Sequence, residues 1–258
     1  MTEETNPLLN RSGSQIALIE LNRPGNANRI QPDDLQELER LLDECEADPQ
    51  VHVLIITGRG EYFSAGYDLR ALMSARGVDE KESVGRDSAF EHFANRLENT
   101  RLITIAALNG PVLGGATDFA LACDLRLGVE GMYMQMPAAR IGLPLYAGAL
   151  QRYVSCLGLN HAKRLVFMAE KLPATEMLAI GFLNELLPAD AVLERAFAMA
   201  KEIALMPAKP LAAMKQTLNA SALGEGCAPA QRAALIDAYD PALIAERIKD
   251  AKRQRQAR

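Results

Sequence analysis

Val51–Thr57 (VHVLIIT) constrains the fold of this chain more than any other stretch. It is apolar and β-branched almost throughout, it is short, and Gly58 and Gly60 close it. A strand with no polar alternation is buried on both faces, so it needs elements packed above and below it. Its neighbours supply them. Ile16–Leu21 (IALIEL) reads as a strand followed by the turn-forming Asn22-Arg23-Pro24-Gly25. Asp33–Glu46 carries Leu35, Leu38, Leu41, Leu42 and Cys45 at i, i+3, i+4 spacing, which predicts an amphipathic helix stopped by Pro49. Ser88–Glu98 repeats the pattern with Phe90, Phe93, Ala94 and Leu97. Leu102–Leu108 is another buried strand, Gly114-Gly115 opens a helix through about Cys123, and Leu125–Val129 reads as a further strand.

From about Ala147 the character changes to helix, rich in Ala, Leu and Met. Breaks are expected at Gly158, Pro173, Gly181, Pro188, Pro207 and Pro210, and a last helix over Ala228–Arg253 ends in the basic KDAKRQRQAR. Alternating elements followed by helices argue an α/β fold with a helical C-terminal part. Met132, Met134 and Met136 alternate along a probable strand, as core or as the lining of an apolar pocket.

Composition narrows the function. The net charge of −5 over 258 residues gives no support to nucleic-acid binding. No apolar run reaches the roughly 18 residues a membrane helix needs. The N-terminus, MTEETNPLLNRSGSQ, lacks the basic start and apolar stretch of a secretory signal, so a cytoplasmic location is expected. Cys45, Cys123, Cys156 and Cys227 are scattered without CxxC spacing, which predicts buried free thiols and no metal site. His52, His92 and His161 fit core or surface roles better than catalysis.

Two segments carry chemistry. Tyr62–Arg70 (YFSAGYDLR) places small residues Ser64, Ala65 and Gly66 where a ligand can approach the backbone. Asn109–Asp118 (NGPVLGGATD) follows a buried strand, and Gly114-Gly115 at its helix start presents unsatisfied N–H groups and the positive end of a dipole. Such groups stabilise an oxyanion developing on a carbonyl. Asp118 lies one turn further on.

Taken together and in order, LNRP, VLIITGRG, FSAGYDL, NGPVLGGATDFALACDLRL and MPAARIGLP resemble the enoyl-CoA hydratase/isomerase (crotonase) family. The resemblance implies a spiral of β-β-α units over residues 1–200, with a C-terminal helical region over 201–258 that builds homotrimers or hexamers. It implies an acyl-CoA substrate and no permanently bound cofactor, coenzyme A entering as part of the thioester. It assigns the two oxyanion donors to the backbone N–H groups of Tyr67 and Gly115, and a catalytic carboxylate to Asp118. It puts Ala27, Ser64, Ala65, Gly66, Asp68, Leu69, Arg70, Gly114, Pro137, Ala138 and Tyr146 along the substrate and coenzyme A path, with Arg70 where the family often carries a Lys near the nucleotide.

The chain departs from the hydratase pattern at both acid positions, and at the first Asp118 is one methylene shorter than the usual Glu. The second acid of the family's PE pair falls at Ala138, after Pro137, and alanine cannot transfer a proton. This speaks against the usual two-acid hydration. Three readings stay open. Asp118 acts alone, as an isomerase or an atypical hydratase would need. Another group replaces the missing acid: Tyr146, Tyr133 or the Tyr67 phenol, but not Arg140, which stays protonated. Or the chain binds acyl-CoA without turnover.

Overall fold

The computed structural model describes residues 6–68, 89–222, 224, 229–244 and 246–247. By internal contacts the chain divides into two compact units, Met1–Met206 and Pro207–Arg258.

The first unit is built on a six-stranded sheet. Its strands are β1 (Leu8–Ser12), β2 (Ile16–Leu21), β3 (Val53–Gly58), β4 (Ile103–Leu108), β6 (Leu125–Val129) and β9 (Glu185–Leu187), adjacent in that order. β1 and β2 form an antiparallel hairpin in which Leu8 faces Glu20, and every other pair is parallel. All six residues of β3 are buried, as its unbroken apolar pattern requires. At the end of β3 the sheet's polar groups are satisfied locally. Thr57 Oγ1 donates to Ala107 O at 2.8 Å, and Gly58 N–H donates to Asn109 Oδ1 at 2.9 Å.

Helix α1 (Pro32–Ala47) starts one residue earlier than its apolar stripe suggests, because Pro32 suits the first helical position. Asp34 then accepts the Gln31 N–H at 2.9 Å and the Arg23 Nε–H at 2.8 Å, closing a capping box. Helix α1 packs on α2 (Ala89–Asn99), and the stripe Leu35, Leu38, Leu41, Leu42 and Cys45 is buried. Helix α6 (Val192–Ala204) runs through residue 200 and packs on β2, β3, β4 and β6.

A second, three-stranded sheet orders β5 (Val112–Leu113), β7 (Tyr133–Gln135) and β8 (Leu172–Pro173). It leads into α3 (Gly115–Leu121), and α4 (Ala147–Met168) packs on α3. Gly158 breaks α4 internally at φ 78°. Met132, Met134 and Met136 are all core. Helix α5 (Ala174–Ala179) completes the unit.

Several expectations are corrected. β1 and β9 were not anticipated: β1 is polar and β9 is only three residues long, so both exist through pairing. Pro210 does not break a helix. It lies in the first turn of α7 (Ala208–Ala222), where its missing N–H has no partner to lose. The single last helix is interrupted. α8 (Pro229–Asp237) ends before Asp240, whose carboxylate accepts the N–H groups of Ala242 and Leu243, each at 3.0 Å, and caps a new helical start at Pro241. Cys45 and Cys123 are buried free thiols, but Cys156 is exposed on α4; Cys227 lies outside the described residues. Among the described residues, no helix is long and apolar enough to cross a membrane, and no group of His, Cys, Asp and Glu could hold a metal ion.

Candidate active site

Two backbone segments meet at the mouth of α3. The loop after β3 is pinned on both sides. Ile30 N–H donates to Gly66 O and Asp68 N–H donates to Ile30 O, both at 2.9 Å. In that parallel bridge the groups of Gly66 and Asp68 face Ile30, so the N–H of Tyr67 points the other way. On the opposite side Leu113 N–H donates to Ser64 O at 3.0 Å. Gly115 is the first residue of α3, so its N–H has no carbonyl one turn back. The two amides come close: a Cβ built on Gly115 would lie 3.6 Å from Tyr67 N.

Glycine is required at Gly66. Its φ is +82°, and a Cβ there would sit 2.7 Å from both Gly115 N and Leu113 O. Any side chain would therefore push the two donor segments apart.

The remaining small residues also brace these loops through their own hydrogen bonds. The Ser64 hydroxyl is fully buried; it donates to Asn28 O at 2.7 Å and accepts the Gly66 N–H at 3.0 Å. Ala65 N–H donates to Ala27 O at 2.8 Å. Ala27 and Asn28 both adopt positive φ, and the Asn28 amide steadies this turn by donating to Arg59 O and Tyr62 O, each at 2.8 Å. Gly114 N–H donates to Gln135 O at 2.9 Å. Asp68 pairs with Arg29 at 3.4 Å. Leu69 and Arg70 lie outside the described residues.

Asp118 is 1% exposed and is not a solitary carboxylate. Arg152, itself 2% exposed, grips it with both arms: Nε to Oδ1 and Nη2 to Oδ2, each at 2.8 Å. Tyr146 donates its hydroxyl to Oδ2. Arg152 reaches on to Asn95 Oδ1 at 2.8 Å and Glu98 Oε2 at 2.9 Å, so one guanidinium ties α2, α3 and α4 together. Burial alone would lower the Arg152 pKa, but hydrogen bonding and charge from Asp118, with Glu98, raise it well above its ordinary value. Burial first, then the Asp118 charge, raises the Tyr146 phenol far above its ordinary value, so Tyr146 serves as a donor.

Aromatic rings connect the two halves. Phe90 lies between Tyr67 (centroids 5.7 Å apart) and Tyr146 (6.5 Å), and a Cβ on Gly115 would meet its ring at 3.1 Å. Pro137 precedes a 3-10 turn (Ala138–Ile141) in which Ala138 is buried and its carbonyl accepts Leu143 N–H at 3.0 Å. Ala138 offers a methyl group and no acid. Tyr133 sits away from Asp118's hydrogen bonds and carries the Lys171 ammonium 3.5 Å over its ring. Arg152, Thr117, Tyr153 and Phe90 were not singled out from sequence as site residues. One signal for Arg152 was available: it shares the buried face of α4 with Ala149, Tyr153 and Leu157, where a charge demands a partner.

The six-stranded, mostly parallel sheet and the helices packed on it have the crotonase fold of the solved structures they match. An enoyl-CoA hydratase from Bacillus anthracis shares the fold with a TM-score of 0.81 at 24% identity, over 96% of this chain and 97% of that one. A monofunctional enoyl-CoA isomerase from M. smegmatis gives 0.70 at 27% identity, over 84% of this chain and 93% of that one. In sequence, a short-chain-enoyl-CoA hydratase from Clostridium acetobutylicum is 30% identical over 219 residues, 84% of this chain and 82% of that protein. A sequence model of the enoyl-CoA hydratase/isomerase family matches residues 11–240. The chain belongs to that family.

Proposed function

We propose that this chain binds an acyl-CoA thioester with the carbonyl oxygen between the N–H groups of Tyr67 and Gly115, and stabilises the enolate formed when the α-carbon loses a proton. The observation that carries this is the approach of the two outward amides across Gly66. The reaction is isomerase-like or an atypical hydration with a single carboxylate, Asp118, because Ala138 supplies no second acid. Ala27, Ala65 and Asp68 border the coenzyme A path, and Phe90 and Tyr146 wall the acyl side. A homotrimer or hexamer in the cytoplasm is part of the same proposal.

A second reading has its own support. Arg152 and Tyr146 already make three hydrogen bonds to Asp118. A carboxylate held in this way serves as an anchor, which favours thioester binding without turnover. The enoyl absorbance of crotonyl-CoA, followed with the native chain and with Asp118→Asn, separates the two. Loss of absorbance that the variant lacks, at unchanged thioester affinity, supports catalysis by Asp118. Bound thioester with no conversion, here and with positional isomers of the enoyl group, supports the binder. Failure to retain any acyl-CoA overturns both.

A further inference from the structure

The Gly114–Gly115 peptide is gripped from the side opposite the site. Its carbonyl, Gly114 O, accepts Thr117 N–H at 3.0 Å and the Thr117 hydroxyl at 2.7 Å. Thr117 Oγ1 in turn lies 2.5 Å from the Tyr153 hydroxyl. A threonine hydroxyl carries one proton. With that proton given to Gly114 O, Tyr153 must be the donor to Thr117. Burial, helped by the Asp118 charge and opposed by the Thr117 bond, holds the Tyr153 phenol far above its ordinary pKa, so it keeps the proton it donates. Both residues are 0% exposed.

The peptide plane makes this grip consequential. In a trans peptide the C=O and the following N–H point in opposite directions. Fixing Gly114 O therefore aims Gly115 N–H away from Thr117 and toward the Gly66–Tyr67 segment. A carbonyl that accepts two donors, one of them itself polarised by a third group, leaves more positive charge on its own peptide N–H. Thr117 N–H alone would already satisfy Gly114 O, and a valine–phenylalanine pair would occupy nearly the same space. The two buried hydroxyls therefore add something that packing does not need.

We propose that Tyr153 and Thr117 form a hydroxyl relay that orients and polarises the Gly114–Gly115 peptide and so sets the strength of Gly115 N–H as a donor to the thioester oxygen. The relay rests on the oxyanion reading of Tyr67 and Gly115 given above. Neither side chain touches substrate; both are positioning residues.

The test is the infrared difference spectrum of crotonyl-CoA labelled with ¹³C at the thioester carbonyl, bound to the native chain and to Thr117→Val, Thr117→Ser and Tyr153→Phe, with a thermal melt of each. The native chain should lower the carbonyl stretching frequency. Thr117→Val should lose much of that shift and bind roughly threefold to tenfold more weakly. Tyr153→Phe should lose less, and Thr117→Ser should restore the native shift. If Thr117→Val does not fold, Tyr153→Phe against Thr117→Ser decides the matter. Equal carbonyl shifts in the native chain and the folded hydroxyl-deleted variants overturn the relay and leave the oxyanion reading standing. A native chain that binds the thioester without shifting its carbonyl, or does not bind it, overturns the oxyanion reading and the relay with it.

Discussion

The proposed donor amides and the Asp118 cluster meet at α3, where Gly115 and Asp118 share one helical turn, yet they are built from opposite materials. The donor loops use peptide groups, and glycine lets them approach: Gly66 at φ +82° leaves no room for a Cβ between Leu113 O and Gly115 N. The Asp118 cluster uses side chains from three helices, joined by the guanidinium of Arg152. The first region is specified within short runs of sequence. The second exists only because α2, α3 and α4 pack together. A backbone site tolerates changes in side-chain chemistry around it but no added bulk. A buried ionic cluster tolerates neither partner's loss, since whichever charge remains has left water without compensation.

The largest expected effect breaks the ionic side. Arg152→Met leaves Asp118 buried without its cation and should cost about 3–5 kcal/mol in chemical denaturation. Adding Asp118→Leu to that variant should recover a substantial part of the loss, because the stranded charge is gone. A double variant no more stable than Arg152→Met would show that the cluster matters through packing alone. Next, Gly66→Ala attacks the backbone side. It should weaken acyl-CoA binding about tenfold while costing about 1–3 kcal/mol of stability. Native affinity in that variant, measured by calorimetry, would remove Gly66 from the donor geometry.

Tyr146→Phe sharpens the comparison with a smaller effect. Deleting one hydrogen bond to a charged acceptor should cost about 1.5 kcal/mol in a melt and leave thioester binding within about twofold. A much larger loss of binding would show that the Tyr146 hydroxyl, and not its ring alone, meets the acyl group. The smallest effect concerns thiols. Burial first, against the opposing charge of Arg11, raises the Cys45 pKa to about 11, so its reactive thiolate appears only as the pH climbs toward that value. In the native chain at pH 8, a thiol reagent followed by mass spectrometry should label exposed Cys156 before Cys45. Equal labelling would show that the α1 face opens readily.

How much was legible follows from where each interaction sits along the chain. The strands Ile16–Leu21 and Leu125–Val129 have the same bounds in sequence and structure, and α1 differs by a residue at each end, because periodicity and punctuation are local signals. β9 carries no such signal. Glu185–Leu187 becomes a strand by pairing with Leu127–Val129, almost sixty residues earlier, where a parallel neighbour was waiting. The interruption at Asp240-Pro241 was local and readable as a cap before a proline, but the long run of helix formers concealed it.

By itself, the sequence determined the alternating β and α elements, the glycine-rich loops at Gly66 and Gly114-Gly115, the position of Asp118 and the absence of an acid at Ala138. Each of these is a property of one residue or of a run of a few. Only the tertiary structure decided that Asp118 is clamped by Arg152, that Phe90 covers Gly115, and that Tyr153 reaches Thr117 behind the Gly114 carbonyl. These pairings join residues 25 to 36 positions apart. Hydrogen bonds and ion pairs act over about 3 Å, whereas sequence patterns record only which face of its own element a residue occupies.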